Sequence, residues 1–254
     1  MIMTPALDYS ISTDSDHLLE SAKQLSLQLS LPFSPLDSEQ LQLILTTQHL
    51  EIRAPELGNP IFIDFEHGKN AHRRQFGGGR GQPLAKAIGL KKGATPSIID
   101  ATAGFGRDAF VLANLGCEIR LIERQVLISH LLEDALHRAS TNPDLQDVID
   151  RMSLIKQDAV SYIEQLGQQD CPDVIYMDPM YPSREKSALV KKDMRLLHQL
   201  AGSDTDSEQL LTTARSKALK RVVVKRPKSA PFVGKQKPAT SIESKNTRYD
   251  IYLA

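Results

Sequence analysis

The stretch Ile98–Asp108, with the sequence IIDATAGFGRD, decides the fold. Its apolar start predicts a buried strand, its small residues predict a tight turn, and a helix is expected to begin near Asp108. Gly104 and Gly106 let a ligand approach the backbone closely, and the first turn of the helix offers N–H groups to it. The carboxylate of Asp100 can accept hydrogen bonds from a cationic amino-acid group. The stretch therefore predicts a nucleoside-binding turn between a strand and a helix.

A second acidic residue, Glu123, ends the next predicted strand about 20 residues after the glycines, where an acid can bind both hydroxyls of a ribose. Rossmann dehydrogenases share this arrangement, but their G-x-G-x-x-G motif has a third glycine where this chain has Ala109. A nicotinamide oxidoreductase remains an alternative, although a nucleoside with a charged amino-acid tail fits the turn better. A further contact, to adenine, is predicted at Asp158 and Ala159, after the third strand.

From Pro96 onward, strand-like and helix-like segments alternate, which is typical of an α/β fold with a largely parallel sheet. Five parallel strands are predicted, at Ser97–Asp100, Glu118–Glu123, Met152–Lys156, Asp173–Asp178 and Arg221–Lys225. Helices are predicted between them, at Arg107–Leu115, Val126–Ala139, Ala159–Gln165 and, as more than one helix, within Ser187–Leu219. Alternating apolar residues predict a last, antiparallel strand over Arg248–Leu253.

The first 95 residues follow a different pattern and are predicted to form a small α+β extension (1–95) to the main domain (96–254). An amphipathic helix is expected from Asp16 to Pro32. Its predicted packing face consists of Leu18, Leu19, Ala22, Leu25 and Leu29. Two β-like runs, Leu41–Ile52 and Ile61–Phe65, predict a hairpin or a sheet edge, and a helix is expected over Pro83–Leu90.

The formal net charge is zero, but the charges are segregated along the chain. Residues 1–65 contain nine acidic side chains, whereas residues 215–237 contain nine Lys or Arg and no carboxylate. A basic run also follows the acidic segment, and in it Gly77–Gly81 form a loop that is either a flexible connection or a contact with phosphate or cofactor. The phosphate-contacting candidates in this run are Arg73, Arg74 and Arg80.

The cysteines, the N-terminus and the histidines indicate the cellular compartment and whether a metal ion is expected. Cys117 and Cys171 have neither metal-ligand spacing nor the density of a disulfide framework, which indicates a reducing compartment. The N-terminus lacks a secretory signal pattern, and no apolar run approaches membrane-spanning length. The histidines lie in different predicted elements without ligand spacing. The expectation is a cytoplasmic protein without a metal ion or a membrane contact.

The fourth predicted strand runs into Asp178–Pro182, with the sequence DPMYP, which resembles the D/N-P-P-Y/F motif of amino-methyltransferases. An exocyclic amine is a poor nucleophile because its lone pair is delocalised into the ring, so its site has to orient it. At the matching positions, the carboxylate of Asp178 and the carbonyl of Pro179 accept the hydrogens of the amine, and Tyr181 stacks on the extruded base. Met180 replaces the second proline of the general motif.

Five segments occur in an order similar to that of the RsmJ-type methyltransferases. They are Phe76–Gly81, Asp100–Gly104, Asp178–Pro182, Lys186–Lys192 and Val222–Pro227. The resemblance implies a Rossmann-like class I methyltransferase with a mostly parallel seven-stranded sheet and helices on both faces. It also implies S-adenosylmethionine as the cofactor, and as the target the N2 amine of one guanine near the 3′ end of 16S ribosomal RNA. In that family a Met in the middle of the pentapeptide is usual.

The resemblance also assigns site residues. The family's cofactor contacts fall on Arg107, Asp108, Glu123, Arg124, Asp158, Ala159 and Asp178, to which the turn adds Asp100, Thr102, Gly104 and Gly106. Basic residues after the pentapeptide and at the end of the fifth strand are placed to hold the RNA backbone beside the flipped base. These are Lys186, Lys191, Lys192, Arg195, Lys225 and Arg226.

Guanine and 16S rRNA rest on the resemblance alone. From the residues, an amino-methyltransferase acting on adenine N6 or on a protein glutamine remains open, as does an RNA-binding protein that kept the fold without catalysis. The sequence likewise leaves open whether the partner is naked 16S rRNA or the small ribosomal subunit, and what the oligomeric state is.

Overall fold

The computed structural model describes residues 9–55, 58–67, 79–91, 93–180 and 206–254. A three-stranded sheet lies near the N-terminus. Its strands are β1 (Tyr9–Thr13), β2 (Leu41–Leu45) and β3 (Leu50–Arg53). β1 is parallel to β2, and β3 is antiparallel to it. β1 was not predicted. Its sequence, YSIST, contains only two apolar side chains, which are too few for a clear alternating pattern.

The N-terminal hairpin differs from the prediction. It lies within the run Leu41–Ile52, whereas from Ile61–Phe65 only one bridge forms, between Ile61 and Ile52. The turn is closed by the Thr46 hydroxyl oxygen, which accepts hydrogen bonds from two backbone N–H groups at 3.0 and 3.1 Å. This polar turn divides the apolar run into two strands.

The first predicted helix is present, as a 3₁₀ turn over Asp16–Leu18 followed by α1 (Leu19–Leu29). Ala22 of the predicted packing face is buried, whereas Leu19 is 36% exposed and Ser26, which was not predicted, is buried as well. The other leucines of the predicted face are partly buried. α1 packs on β1, and small side chains let a helix approach a strand closely.

The larger sheet has seven strands. They are β4 (Ile98–Asp100), β5 (Ile119–Ile122), β6 (Met152–Ile155), β7 (Val174–Met177), β8 (Arg221–Pro227), β9 (Thr240–Glu243) and β10 (Thr247–Leu253). Their order is β6-β5-β4-β7-β8-β10-β9. β4 to β8 are parallel, and β10 is antiparallel to both of its neighbours, β8 and β9. The predicted α/β class, the mostly parallel sheet and the antiparallel last strand are confirmed. The edge strand β9 was not predicted individually.

Helices follow the strands. They are α2 (Pro83–Ile88), α3 (Arg107–Asn114), α4 (Val126–Ser140), α5 (Gln146–Ile149), α6 (Ala159–Glu164) and α7 (Ser207–Lys217). α7 falls within the region predicted to hold more than one helix, and residues 187–205 of that region lie outside the described residues. Among the described helices, none combines the length and apolar character of a membrane span.

Alternate residues of the strands enter two hydrophobic clusters, one on each face of the larger sheet. Ile98 and Tyr176 pack on the face covered by α3 and α4, whereas Ile99 and Ile175 pack on the face covered by α6 and α7. The first cluster extends into the N-terminal sheet. The core is thus continuous across residue 95, and the division of the chain there stays a prediction.

The chain reverses direction across the sheet at β4. It leaves β4 for β5 and β6 on one side and then returns to β7 and β8 on the other. The N–H of Ala101 donates to the carbonyl of Tyr176 at 2.9 Å, so the carboxyl ends of β4 and β7 lie side by side. Ligands of open α/β sheets bind at such a switch point.

Phe65 joins the N-terminal part to the main domain, because it is 1% exposed and stacks on Phe110 of α3 with ring centroids 4.8 Å apart. We predict that Phe65→Ala lowers the free energy of unfolding by about 3–5 kcal/mol, because a large buried ring leaves a cavity. Leu27→Ala, at a side chain that is 80% exposed, serves as the control; its change stays within about 0.5 kcal/mol. Chemical denaturation measures both, and equal changes would contradict the packing described.

Candidate active site

The turn after β4 is joined to the end of β5. The N–H of Gly104 donates to Oε2 of Glu123 at 2.8 Å, and the N–H of Gln125 donates to Oε1 of the same carboxylate at 2.8 Å. The structure thus places the predicted ribose-binding acid directly beside the glycine turn. Both features of the predicted nucleoside site lie at one edge of the sheet.

The two glycines of the turn have different surroundings. Both have positive φ, 52° at Gly104 and 67° at Gly106. A Cβ at Gly106 would lie 2.9 Å from Cδ1 of Leu132 and 3.2 Å from Cζ of Phe65, whereas a Cβ at Gly104 would meet no atom closer than 4.0 Å. Gly106 is therefore required by the packing of the core, and Gly104 borders open space from which a cofactor can reach the backbone.

Asp178 directly follows β7, at the same edge of the sheet. Its backbone N–H donates to Oγ1 of Thr102 at 2.6 Å, which holds the start of the pentapeptide against the glycine turn. The Asp178 side chain keeps 42% of its surface exposed. The first residue of the predicted catalytic motif is thus fixed through its backbone and open to a substrate through its carboxylate.

Lys225, in β8, links this carboxylate to the helix after the turn. Its Nζ lies 2.7 Å from Oδ2 of Asp178 and 2.9 Å from Oδ2 of Asp108. The Tyr176 hydroxyl donates to the same Asp108 oxygen at 2.7 Å. Tyr176 is 1% exposed, so the four residues form a chain that runs from the core to the surface of the site. We refer to Tyr176, Asp108, Lys225 and Asp178 as the carboxylate–lysine network.

This network was not predicted from the sequence, which suggested an RNA-backbone contact for Lys225 and no role for Tyr176. A signal was present in both cases, since Tyr176 is the one residue with a polar group in the otherwise apolar strand VIYM, and Lys225 follows three buried valines. Which acids these residues would meet depends on the order of the strands, which the sequence alone does not display.

Burial sets the protonation of the acid at the end of β4. Asp100 is 3% exposed, and burial raises the pKa of its carboxyl group from 3.8 to about 8. The nearby carboxylates of Asp108 and Asp178 raise it further, against a hydrogen bond from the N–H of Thr102 at 3.2 Å. Burial likewise raises the pKa of Asp178, an effect that the Lys225 ammonium opposes.

Arg124 connects the loops after β5 and β6. Its Nη1 lies 2.5 Å from Oδ2 of Asp206 and 3.5 Å from Oδ2 of Asp158. Asp158 caps α6 by accepting a hydrogen bond from the N–H of Ser161 at 2.9 Å, and Ala159 begins that helix. Burial works toward a higher pKa, but the hydrogen bonds from Ser161 and the Arg124 guanidinium outweigh it and lower the pKa of Asp158. The predicted adenine turn is therefore held in place by a charged carboxylate.

Two of the predicted RNA contacts have backbone partners within the protein. Arg80 donates to the carbonyls of Lys91 at 2.7 Å and Leu115 at 3.2 Å. Arg226 is 6% exposed and donates to the carbonyl of Pro231 at 3.2 Å. Contact of these two guanidinium groups with RNA stays a prediction.

Of the remaining predicted site residues, some lie near the same edge of the sheet and others lie outside the described residues. Arg107 begins α3, with its guanidinium carbon 5.2 Å from the centroid of the Phe105 ring. Pro179 follows Asp178 within the described part. Seven predicted residues lie outside the described residues: Arg73, Arg74, Tyr181, Lys186, Lys191, Lys192 and Arg195. Within the described ranges, no group of three or more His, Cys, Asp or Glu side chains could hold a metal ion.

The switch point of the sheet, the open glycine turn and the acids beside it suit a nucleoside with a cationic amino-acid tail. Asp178 adds a fixed acceptor at the place where a reacting group would meet that cofactor. Together the fold and the site define a class I methyltransferase that uses S-adenosylmethionine.

Comparisons with known proteins narrow this class. Residues 24–254 match the family model described as "Putative SAM-dependent methyltransferase". The proteins named ribosomal RNA small subunit methyltransferase J of Nitrosococcus oceani and Tolumonas auensis are 52% and 47% identical, over 96% of this chain and 97% and 96% of theirs. A solved SAM-dependent methyltransferase of Neisseria gonorrhoeae is 35% identical with a TM-score of 0.76, over 96% of this chain and 95% of its own. The chain belongs to the ribosomal RNA small subunit methyltransferase J family, which confirms the resemblance inferred from the motifs.

The two glycines provide a matched pair for separating stability from cofactor binding. We predict that Gly106→Ala lowers the free energy of unfolding by about 2–4 kcal/mol, because strain at positive φ adds to overpacking against Leu132. Gly104→Ala carries the strain without the overpacking, but weakens binding of S-adenosylmethionine by roughly tenfold or more because the Cβ enters the space of the cofactor. Denaturation and calorimetry measure the two effects. Unimpaired cofactor binding by Gly104→Ala would contradict the placement.

The raised pKa of Asp100 predicts a pH dependence of stability. The folded protein retains a proton that the unfolded chain releases near pH 3.8, so this stabilisation is complete below that pH and is lost as pH rises through about 8. We therefore expect the unfolding free energy of the cofactor-free protein to fall more steeply between pH 5 and 8 than that of Asp100→Asn, which has no such proton. Denaturation at a series of pH values measures both slopes, and equal slopes would refute the prediction.

Proposed function

We propose that this protein transfers the methyl group of S-adenosylmethionine to the exocyclic N2 amine of one guanine near the 3′ end of 16S ribosomal RNA. The observation that carries the chemistry is the half-exposed Asp178 carboxylate, fixed by Thr102 and Lys225 at the carboxyl edge of β7. The rRNA substrate is supported by the relatives named ribosomal RNA small subunit methyltransferase J, which align over nearly the whole chain. The site of action is the cytoplasm, on 16S rRNA or the small ribosomal subunit.

S-adenosylmethionine supplies a methyl group that is bonded to its sulfonium sulfur, and an amine positioned beside this methyl group can accept it. Asp178 accepts a hydrogen bond from the N2 amine, and the carbonyl of Pro179 accepts the second. This arrangement turns the nitrogen lone pair toward the methyl group, and such positioning contributes up to roughly 7–11 kcal/mol in favourable cases. Because burial raises the pKa of Asp178, its carboxylate is also suited to take up the proton that the amine loses.

The target base has to leave its stack to reach Asp178. Extruding a base costs a few kcal/mol, which stacking on the ring of Tyr181 partly offsets. Basic residues predicted after the pentapeptide, among them Lys191 and Lys192, hold the phosphates on either side of the extruded nucleotide. Such contacts position the RNA without reading its sequence.

The catalytic role of Asp178 is tested by substitution. We predict that Asp178→Ala lowers methyl transfer from labelled S-adenosylmethionine into small-subunit rRNA or subunits by at least about 100-fold, because the amine is no longer oriented. Asp173 lies at the opposite end of the same strand, where it pairs with Lys220 at 2.9 Å. Asp173→Ala is therefore the control and retains most of the activity.

The product distinguishes the alternatives. Mass analysis of nucleosides from the treated rRNA is expected to show N2-methylguanosine. N6-methyladenosine, or incorporation into protein, would replace the proposed target with one of the other amines. Equal incorporation by the parent and Asp178→Ala would overturn the mechanism.

A further inference from the structure

At the surface of the site, the carboxylate–lysine network connects three polar atoms, the two oxygens of Asp178 and the ammonium nitrogen of Lys225. Lys225 bonds to Oδ2 of Asp178, so the order is Oδ1, Oδ2 and then the ammonium nitrogen. In hydrogen-bonding character this row reads acceptor, acceptor, donor. The exposed fractions of the Asp178 and Lys225 side chains are 42% and 27%, so both can be reached by a substrate.

The Watson–Crick edge of guanine has the complementary order: the N2 amine donates, N1–H donates and O6 accepts. We infer that Lys225 determines the specificity for guanine by donating a hydrogen bond to O6, while the two oxygens of Asp178 accept from N1–H and the N2 amine. This inference rests on the proposed function, since it concerns the base that enters the same site. It gives Lys225 a role in reading the base, where the sequence had suggested a contact with the RNA backbone.

Lys225 has a third N–H group for this hydrogen bond, and its side chain is held in position. An ammonium carries three N–H donors, and among the described residues those of Lys225 are directed at Asp108 and Asp178, which accounts for two of them. Asp108 is in turn held by the buried Tyr176 hydroxyl. The lysine is thus fixed from beneath, and little side-chain entropy remains to be lost when a base binds.

Lys225 keeps its positive charge in this site. Burial disfavours the ammonium, but the carboxylates of Asp178 and Asp108 outweigh this effect and raise the pKa of Lys225. A hydrogen bond from a charged donor is stronger than one from a neutral donor, and its loss in a partly buried site is correspondingly large.

Adenine does not match the row. Its N6 amine is followed by N1, which has a lone pair and no hydrogen. Placing the amine on Oδ1 of Asp178 would set that lone pair against Oδ2, and two acceptors facing each other are unfavourable. The network therefore selects between the two amino-purines through the atom next to the amine as well as through O6.

The test compares 16S rRNA, free or in subunits, that carries either guanine or 6-thioguanine at the methylated position, introduced by splinted ligation. 6-Thioguanine keeps N1–H and the N2 amine but replaces O6 by sulfur, a weak acceptor. For the parent enzyme we expect kcat/KM to be roughly 10- to 100-fold higher on guanine. In Lys225→Met this preference falls to within about threefold, because no donor remains to distinguish oxygen from sulfur.

Two further variants complete the experiment. Lys225→Gln keeps an N–H donor and retains an intermediate preference. Lys220→Met removes a lysine that is ion-paired with Asp173 at the other end of the same strand, and leaves the preference unchanged. Because the preference is a ratio measured on one preparation, it does not depend on the fraction of variant that is folded.

A preference for guanine that persists in Lys225→Met overturns the inference. If the rates on both bases then fall by the same factor, Lys225 positions Asp178 without reading O6; if the rates do not fall, the discrimination comes from the size of sulfur. Failure of the proposed function gives a different result: the parent enzyme itself would leave guanine at that position unmethylated.

Discussion

The ammonium of Lys225, between the carboxylates of Asp108 and Asp178, links three elements at the site. β8 carries the lysine, α3 carries one acid and the segment after β7 carries the other. The two pairs span 117 and 47 residues of sequence. Charge-assisted hydrogen bonds at this depth are strong, and loss of one partner leaves the others as unpaired charges. The position of the Asp178 carboxylate is therefore tied to the assembly of the whole sheet.

The N-terminal part of the chain supports the same site from below. Phe65 lies against the place where Gly106 has no side chain, and it stacks on Phe110 of the helix that carries Asp108. The glycine at the third position of the G-x-G turn is thus set by packing with the N-terminal segment. At the first glycine, an added Cβ would meet no described atom closer than 4.0 Å, which leaves room for the predicted cofactor.

The features that could be predicted from the sequence are those that depend on residues close together in the chain. The positions of the glycine turn, of Glu123 after a strand and of the strand before Asp178 agree with the structure, because strands, turns and the acids at strand ends leave short-range signals. The bridge from Lys225 to Asp108 was missed, since it exists only because β8 lies beside β7. β1 was also missed. Its serines obscure the apolar pattern of a strand, and the strand is stabilised by its parallel partner, β2. In both cases the deciding contacts are made with residues far away in the sequence.

The protonation of Asp100 follows from how the network distributes its charge. Three carboxyl groups, those of Asp100, Asp108 and Asp178, share the neighbourhood of one ammonium. That ammonium makes its hydrogen bonds to Asp108 and Asp178. For Asp100, burial and two like charges therefore oppose ionisation more strongly than the N–H of Thr102 and the charge of Lys225 favour it. A neutral Asp100 leaves one ammonium facing two carboxylates instead of three. Among the described residues, no cationic side chain donates a hydrogen bond to Asp100, so this acid can receive the ammonium of the predicted cofactor without giving up an ion pair.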